Sequence, residues 1–234
     1  MGEWVEVQGK DGAFRAYVAR PAGQPKAAVV AIQEIFGVNA VMRGKADWLA
    51  SEGFLAISPD LFWRLEPNVD ITDQSEAEWK KAFDLMTRFQ QAQGSIKGIE
   101  DIQATIDHVR GMTGGGKVGA IGYCLGGFLA YLTACKTNAD ASVAYYGVSI
   151  ETRLEDAANS TTPLMLHIAG KDQFVKPEAQ QAIIAGLSGK PNVVIHTYAE
   201  QDHAFTRPGG AHYDAEAAKL ADGRTIAFLR EKLA

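Results

Sequence analysis

Residues 117–132 restrict the fold more than any other stretch of this chain. Lys117-Val118-Gly119-Ala120-Ile121 is a short apolar run that reads as a buried strand, and Phe128-Leu129-Ala130-Tyr131-Leu132 reads as the first turns of a buried helix. Only Gly122-Tyr123-Cys124-Leu125-Gly126-Gly127 separates them. A strand that turns into a helix so abruptly needs glycine where side chains would collide, and Gly122 and Gly126 provide it. Cys124 then sits at a strained tip, with the free N–H groups and positive dipole end of the new helix beside its sulfur. The same six residues also suit a buried cysteine beside glycines that help a helix pack on a sheet.

The surrounding pattern supplies a sheet for this turn to stand on. Trp4–Gln8 and Ala13–Ala19 read as a hairpin turned at Asp11-Gly12. Ala27–Ile32 is continuously apolar, as expected of a parallel strand buried on both faces. A helix over Ala40–Ser51 and a strand over Phe54–Ser58 follow, then a loop from Leu61 to Thr72 that contains Pro67. Two helices come next, one carrying Trp79, Phe83 and Met86, the other Ile99, Ile102, Ile106 and Val109. A strand over Ala141–Tyr146, a helix over Pro177–Leu187 and a last helix ending near Leu233 complete the series. Strands alternating with helices predict an α/β fold, a mostly parallel central sheet with helices on both faces. No repeat or linker divides the chain, so residues 1–234 are expected to form one domain. The Trp79, Phe83, Met86 stripe fits core packing and a pocket wall equally well.

A G-x-C-x-G turn between strand and helix has the form of a nucleophile elbow, whose partners follow in the order acid, then histidine. Pro163–Ala169 is a strand candidate ending in Gly170-Lys171-Asp172, and Asn192–Tyr198 is another, leading to Glu200-Gln201-Asp202-His203. Asp172 and His203 therefore fall just beyond strand C-termini, where open α/β sheets bind ligands. A histidine that accepts a proton from sulfur needs a carboxylate to fix its tautomer, and Asp172 is the candidate. Asp172 also suits a helix cap before Pro177. Of the other histidines, His167 and His196 lie inside strands, His108 lies in a helix, and His212 opens the last helix; only His203 follows a strand end.

The chain resembles the dienelactone hydrolases, also called carboxymethylenebutenolidases, over nearly its whole length. The resemblance rests on Gln33-Glu34-Ile35-Phe36-Gly37-Val38-Asn39, Gly122–Gly127, Tyr145-Tyr146-Gly147-Val148, Gly170-Lys171-Asp172 and His203-Ala204-Phe205-Thr206-Arg207. It implies an α/β-hydrolase fold, with Cys124 as nucleophile, His203 as base and Asp172 as its orienter. It implies further that Glu34 contacts the cysteine region, that the N–H groups of Ile35 and Leu125 form an oxyanion hole, and that Arg207 helps bind a substrate carboxylate. A substrate carboxylate competing for Arg207 would free Glu34 to take the cysteine proton. One departure stands out. Where the family carries a second carboxylate-binding Arg and, one turn later, a Tyr, this chain has Trp79 and Phe83. These two are expected to line the substrate pocket and to shift specificity away from anionic substrates.

The expected reaction is hydrolysis of a lactone or small carboxylic ester through a thioester, with no cofactor and no metal, since no H-x-x-x-H or paired C-x-x-C spacing occurs. A non-catalytic small-ligand receptor on the same fold would show a damaged triad position. A thiol redox sensor would want a resolving cysteine. Cys135, on the same helix as Cys124, lies roughly 16 Å away, too far to bridge. Net charge is −5, with no Lys/Arg cluster, which argues against nucleic acid. No apolar stretch reaches membrane-spanning length, and Met1-Gly2-Glu3-Trp4-Val5 lacks a signal-peptide pattern. A monomeric cytoplasmic enzyme is the expectation.

Overall fold

The computed structural model describes residues 2–234; Met1 of the opening segment lies outside them. Its strands are β1 (Glu3–Gln8), β2 (Ala13–Ala19), β3 (Ala27–Ile32), β4 (Leu55–Pro59), β5 (Lys117–Tyr123), β6 (Ala141–Tyr145), β7 (Leu164–Ala169) and β8 (Val193–Tyr198). They form one sheet in the order β1-β2-β4-β3-β5-β6-β7-β8. The β1/β2 hairpin is antiparallel and joins β4 antiparallel, whereas the pairs from β4 through β8 are parallel.

Every residue of β3 is buried, and its side chains alternate between two cores. Ala28, Val30 and Ile32 face one layer, packed with α3 (Gly94–Met112) and α4 (Leu125–Lys136). Ala27, Val29 and Ala31 face the other, packed with α1 (Ala40–Ser51) and α6 (Ala215–Lys232). Burial on both faces is why this strand reads as a continuous apolar run rather than an alternating one. The remaining helices are α2 (Glu76–Gln91) and α5 (Pro177–Leu187).

Several strand ends differ from the sequence reading by one residue, and three departures have a local reason. β6 ends at Tyr145 because Tyr146 has turned to φ 37°. A 3₁₀ segment over Ile150–Ala157 is only 8 residues long, is kinked at Arg153 and buries only Ile150 and Ala157, too short a stripe to read as a helix. His212 does not open the last helix: α6 starts at Ala215 behind Asp214, whose side chain accepts from Ala217 N–H. Among the described residues no helix is long and apolar enough to cross a membrane.

Candidate active site

The parallel strands deliver the chemistry to one edge. Glu34 follows β3, Cys124 follows β5, Tyr146 follows β6, Asp172 follows β7 and His203 follows β8. At the elbow Cys124 takes φ 57° and ψ −116°, a region that only special sites impose on a residue with a Cβ. Its N–H donates to Tyr145 C=O (3.1 Å), tying the tip to β6. The approach of α4 to the sheet permits no side chain on either flanking glycine. A Cβ on Gly122 would run into the Gly126 carbonyl, and one on Gly126 into the carbonyls of Ile32 and Gln33.

His203 is held from several sides. Its Nδ1 lies 2.8 Å from Asp172 Oδ2, while Asp172 Oδ1 accepts from the N–H groups of Phe174 (2.8 Å) and Val175 (3.1 Å). Those last bonds fix the carboxylate within its own loop, so Asp172 shapes the approach to α5 as well as orienting the ring. Tyr146 and Phe174 pack edge-on against the imidazole, with centroids 5.0 and 4.8 Å away. The other ring nitrogen, Nε2, is buried and makes no hydrogen bond among the described residues. Burial opposes the imidazolium, but negative charge on Cys124 and the Asp172 carboxylate outweigh it and raise His203 to about 10. Cys124 acts on the ring both by charge and by a close sulfur contact, which falls short of a well-formed hydrogen bond to Nε2. Such pairs are commonly loose before substrate arrives.

Of the other histidines, His167 is buried, with its two ring nitrogens bonded to Tyr198 OH (2.8 Å) and to Thr225 Oγ1 on α6 (2.9 Å). Asp202 does not reach the His203 ring; its Oδ1 accepts instead from the N–H groups of His203 and Gln173.

Glu34 and Arg207 form a buried, two-pronged ion pair: Nε donates to Oε2 and Nη2 to Oε1, each at 2.9 Å. Arg207 also donates from Nη1 to Asp73 Oδ2 at 2.8 Å, and its guanidinium lies over the Phe36 ring, 4.9 Å from the centroid. Burial disfavours the arginine charge, but Glu34 and Asp73 more than compensate and hold its proton above the ordinary range. Asp73 is moved the other way: burial raises it, yet Arg207 and Gln74 hold it below the usual carboxylate range.

Trp79 lines the cleft and also packs against the core, whereas Phe83 lines the cleft and is 40% exposed. The Trp79 ring stacks on Phe83 (5.5 Å) and meets Phe36 edge-on (5.1 Å), and its indole N–H donates to the Asp73 carbonyl (3.0 Å). Phe83 in turn faces Phe174 across the mouth at 6.4 Å. The cleft has a volume of about 180 Å3, and Ile35, Cys124, His203 and Arg207 share its wall with these rings. The N–H groups of Ile35 and Leu125 are not used in any turn, loop or cap hydrogen bond among the described residues.

Two contributors escape sequence reading. Asp73 falls just after an irregular loop, and its partner is 134 positions away. The one local signal was Ser75-x-x-Glu78, a capping box that starts α2 and lets Glu78 reach back to Thr72 N–H (2.9 Å), fixing the segment that carries Asp73. Phe174 lies in the loop after Asp172, where no periodicity marks a ring as a wall.

An eight-stranded, mostly parallel sheet with helices on both faces and a cysteine-bearing elbow after β5 is the α/β-hydrolase fold. A solved Klebsiella pneumoniae structure matches it with a TM-score of 0.85 at 25% identity, covering 99% of this chain and 98% of that one. The chain belongs to the dienelactone hydrolase family, whose sequence model matches residues 14–233. It is an enzyme of the class that hydrolyses carboxylic esters or lactones. An Azospirillum brasilense relative is 46% identical over 232 residues, 96% of each chain. The carboxymethylenebutenolidase of Pseudomonas putida is 38% identical over 231 residues, 98% of this chain and 96% of that one.

Proposed function

We propose that the chain cleaves the ester bond of a lactone or small carboxylic ester by cysteine nucleophilic catalysis. Cys124 attacks the carbonyl carbon, its proton residing on His203, and the N–H groups of Ile35 and Leu125 receive the oxyanion. The C–O bond breaks, His203 gives its proton to the departing alkoxide, and a thioester remains. Water then loses a proton to His203 and attacks the thioester; the C–S bond breaks, releasing the acid and restoring the sulfur. Asp172 keeps Nδ1 protonated so that Nε2 faces the reaction. Glu34 serves as a second acceptor for the Cys124 proton when Arg207 lets it go. Trp79 and Phe83 offer the acyl or leaving group a flat apolar wall, which suits a bulkier or less charged ester than the family's lactone.

The observation that carries this reading is the state of His203. One nitrogen is bonded to Asp172 and the other is buried, unpartnered and on the same cleft wall as Cys124. The test is turnover of a dienelactone and of an aryl ester by wild type and Cys124→Ala, with melting temperature measured on both. Loss of turnover by several orders of magnitude without loss of fold supports the cysteine mechanism. Undiminished turnover in a folded Cys124→Ala protein overturns it.

A further inference from the structure

Arg207 lines both lobes of the cleft, and among the described residues it is the only Arg or Lys that does so. It is therefore where an anionic substrate would dock, and it is already taken. All three guanidinium nitrogens donate to carboxylates, two to Glu34 and one to Asp73. One positive charge faces two negative ones, so the field at this point repels a third carboxylate rather than attracting it.

Asp73 is built into this place. Its side chain is only 11% exposed. Its Oδ1 accepts from Gln74 Nε2 (2.6 Å), its carbonyl accepts the Trp79 indole N–H, and the capping box of α2 anchors the segment. It is also the weaker of the two partners. Asp73 makes one bond to Arg207 where Glu34 makes two, and it comes from a loop rather than a strand end. Any ligand carboxylate that reached Arg207 would displace Asp73 first.

We infer that Asp73 is a specificity-determining residue: it occupies the anion position on Arg207 with a carboxylate of the protein's own and so selects uncharged esters over anionic ones. This rests on the hydrolase reading above.

The test compares 4-nitrophenyl propionate, which is neutral, with mono-4-nitrophenyl succinate, which adds a carboxylate. The enzymes are wild type, Asp73→Asn, Asp73→Ser and Asp73→Glu. Wild type should favour the propionate in kcat/KM. Asp73→Asn and Asp73→Ser should raise the succinate-to-propionate ratio by roughly 10- to 100-fold, the scale of one charge-assisted hydrogen bond, and Asp73→Glu should restore the wild-type ratio. A parallel measurement needs no turnover: propionate ion should bind at least tenfold more tightly to Cys124→Ala/Asp73→Asn than to Cys124→Ala. A ratio that is unchanged in both Asp73→Asn and Asp73→Ser, or equal propionate binding, overturns the inference. Failure of wild type on both esters would instead count against the hydrolase reading, leaving the binding comparison to decide the role of Asp73.

Discussion

Arg207 and Glu34, 173 positions apart in sequence, meet in a buried ion pair whose two bonds are equal at 2.9 Å. With Asp73 added, removing the arginine would strand two carboxylates out of water. Breaking a buried pair from one side typically costs about 3–5 kcal/mol. Arg207→Met should therefore lower the melting temperature by roughly 10 °C at neutral pH. Protonation of the stranded carboxylates relieves the penalty, so the deficit against wild type should shrink on going from pH 8 to pH 5. Glu34→Gln added to Arg207→Met should recover part of the loss. A deficit independent of pH would mean that lost packing over Phe36, not charge, is what Arg207 contributes.

The state of His203 is measurable directly. Its proton is held to about 10 by charge on Cys124 and by Asp172, against the pull of burial. Ring shifts followed by NMR should show the imidazolium persisting through neutral pH in wild type, and losing its proton at lower pH in Cys124→Ala and in Asp172→Asn. A folded value above the unfolded one stabilises the native state fully below about pH 6.5 and ceases to do so as pH rises through the folded value. The stability gap between wild type and His203→Gln should accordingly narrow between pH 7 and pH 10. Titration of the wild-type ring near 6.5, unaltered in both variants, would contradict the charge balance.

Gly126 is a purely steric requirement. A methyl group there meets the carbonyl oxygens of Ile32 and Gln33 on β3, which are backbone and cannot turn aside. Overpacking of this kind costs about 1–3 kcal/mol or more. In Gly126→Ala the melting temperature should fall by roughly 3–10 °C, and turnover should fall with it, because the same shift moves the Leu125 N–H. An alanine accommodated with neither effect would show that the elbow is looser than the close approach implies.

Trp79 contributes a surface. Trp79→Ala deletes the ring that stacks on Phe83 and abuts Phe36, together with the bond to the Asp73 carbonyl. For an aryl ester the expected result is a KM raised roughly tenfold with a smaller change in kcat, the signature of binding lost equally from ground and transition states. A fall in kcat at constant KM would place Trp79 nearer the reacting atoms than the wall.

Much of this architecture is legible in the sequence because it is local. β3 reads as a doubly buried strand from six consecutive apolar residues, and the elbow reads from two glycines around Cys124. Asp172 and His203 are recoverable because each lies a few residues past a strand end, and parallel topology brings such ends to one edge. The charge arrangement at Arg207 is not legible in this way. Asp73 acquires its meaning only from a partner 134 residues on, and nothing in a loop's composition announces which distant cation it will meet. Phe174 is hidden for the same reason: its contact with His203 depends on how the loop after β7 folds back.

Whether an acyl group ever resides on Cys124 can be seen without kinetics. Wild type and His203→Gln would be mixed with excess 4-nitrophenyl propionate, quenched in acid within seconds, and measured by intact mass and peptide mapping. Acylation by this activated ester needs no proton for the 4-nitrophenolate that leaves and can proceed slowly from residual thiolate. Deacylation needs His203 to take a proton from water, so the variant should accumulate one propionyl group, on the peptide containing Cys124, released by neutral hydroxylamine as a thioester is. Cys135, raised to about 11 chiefly by burial, should stay unmodified. A propionyl group on any other residue, or hydrolysis in wild type with Cys124 never acylated, would contradict the thioester mechanism.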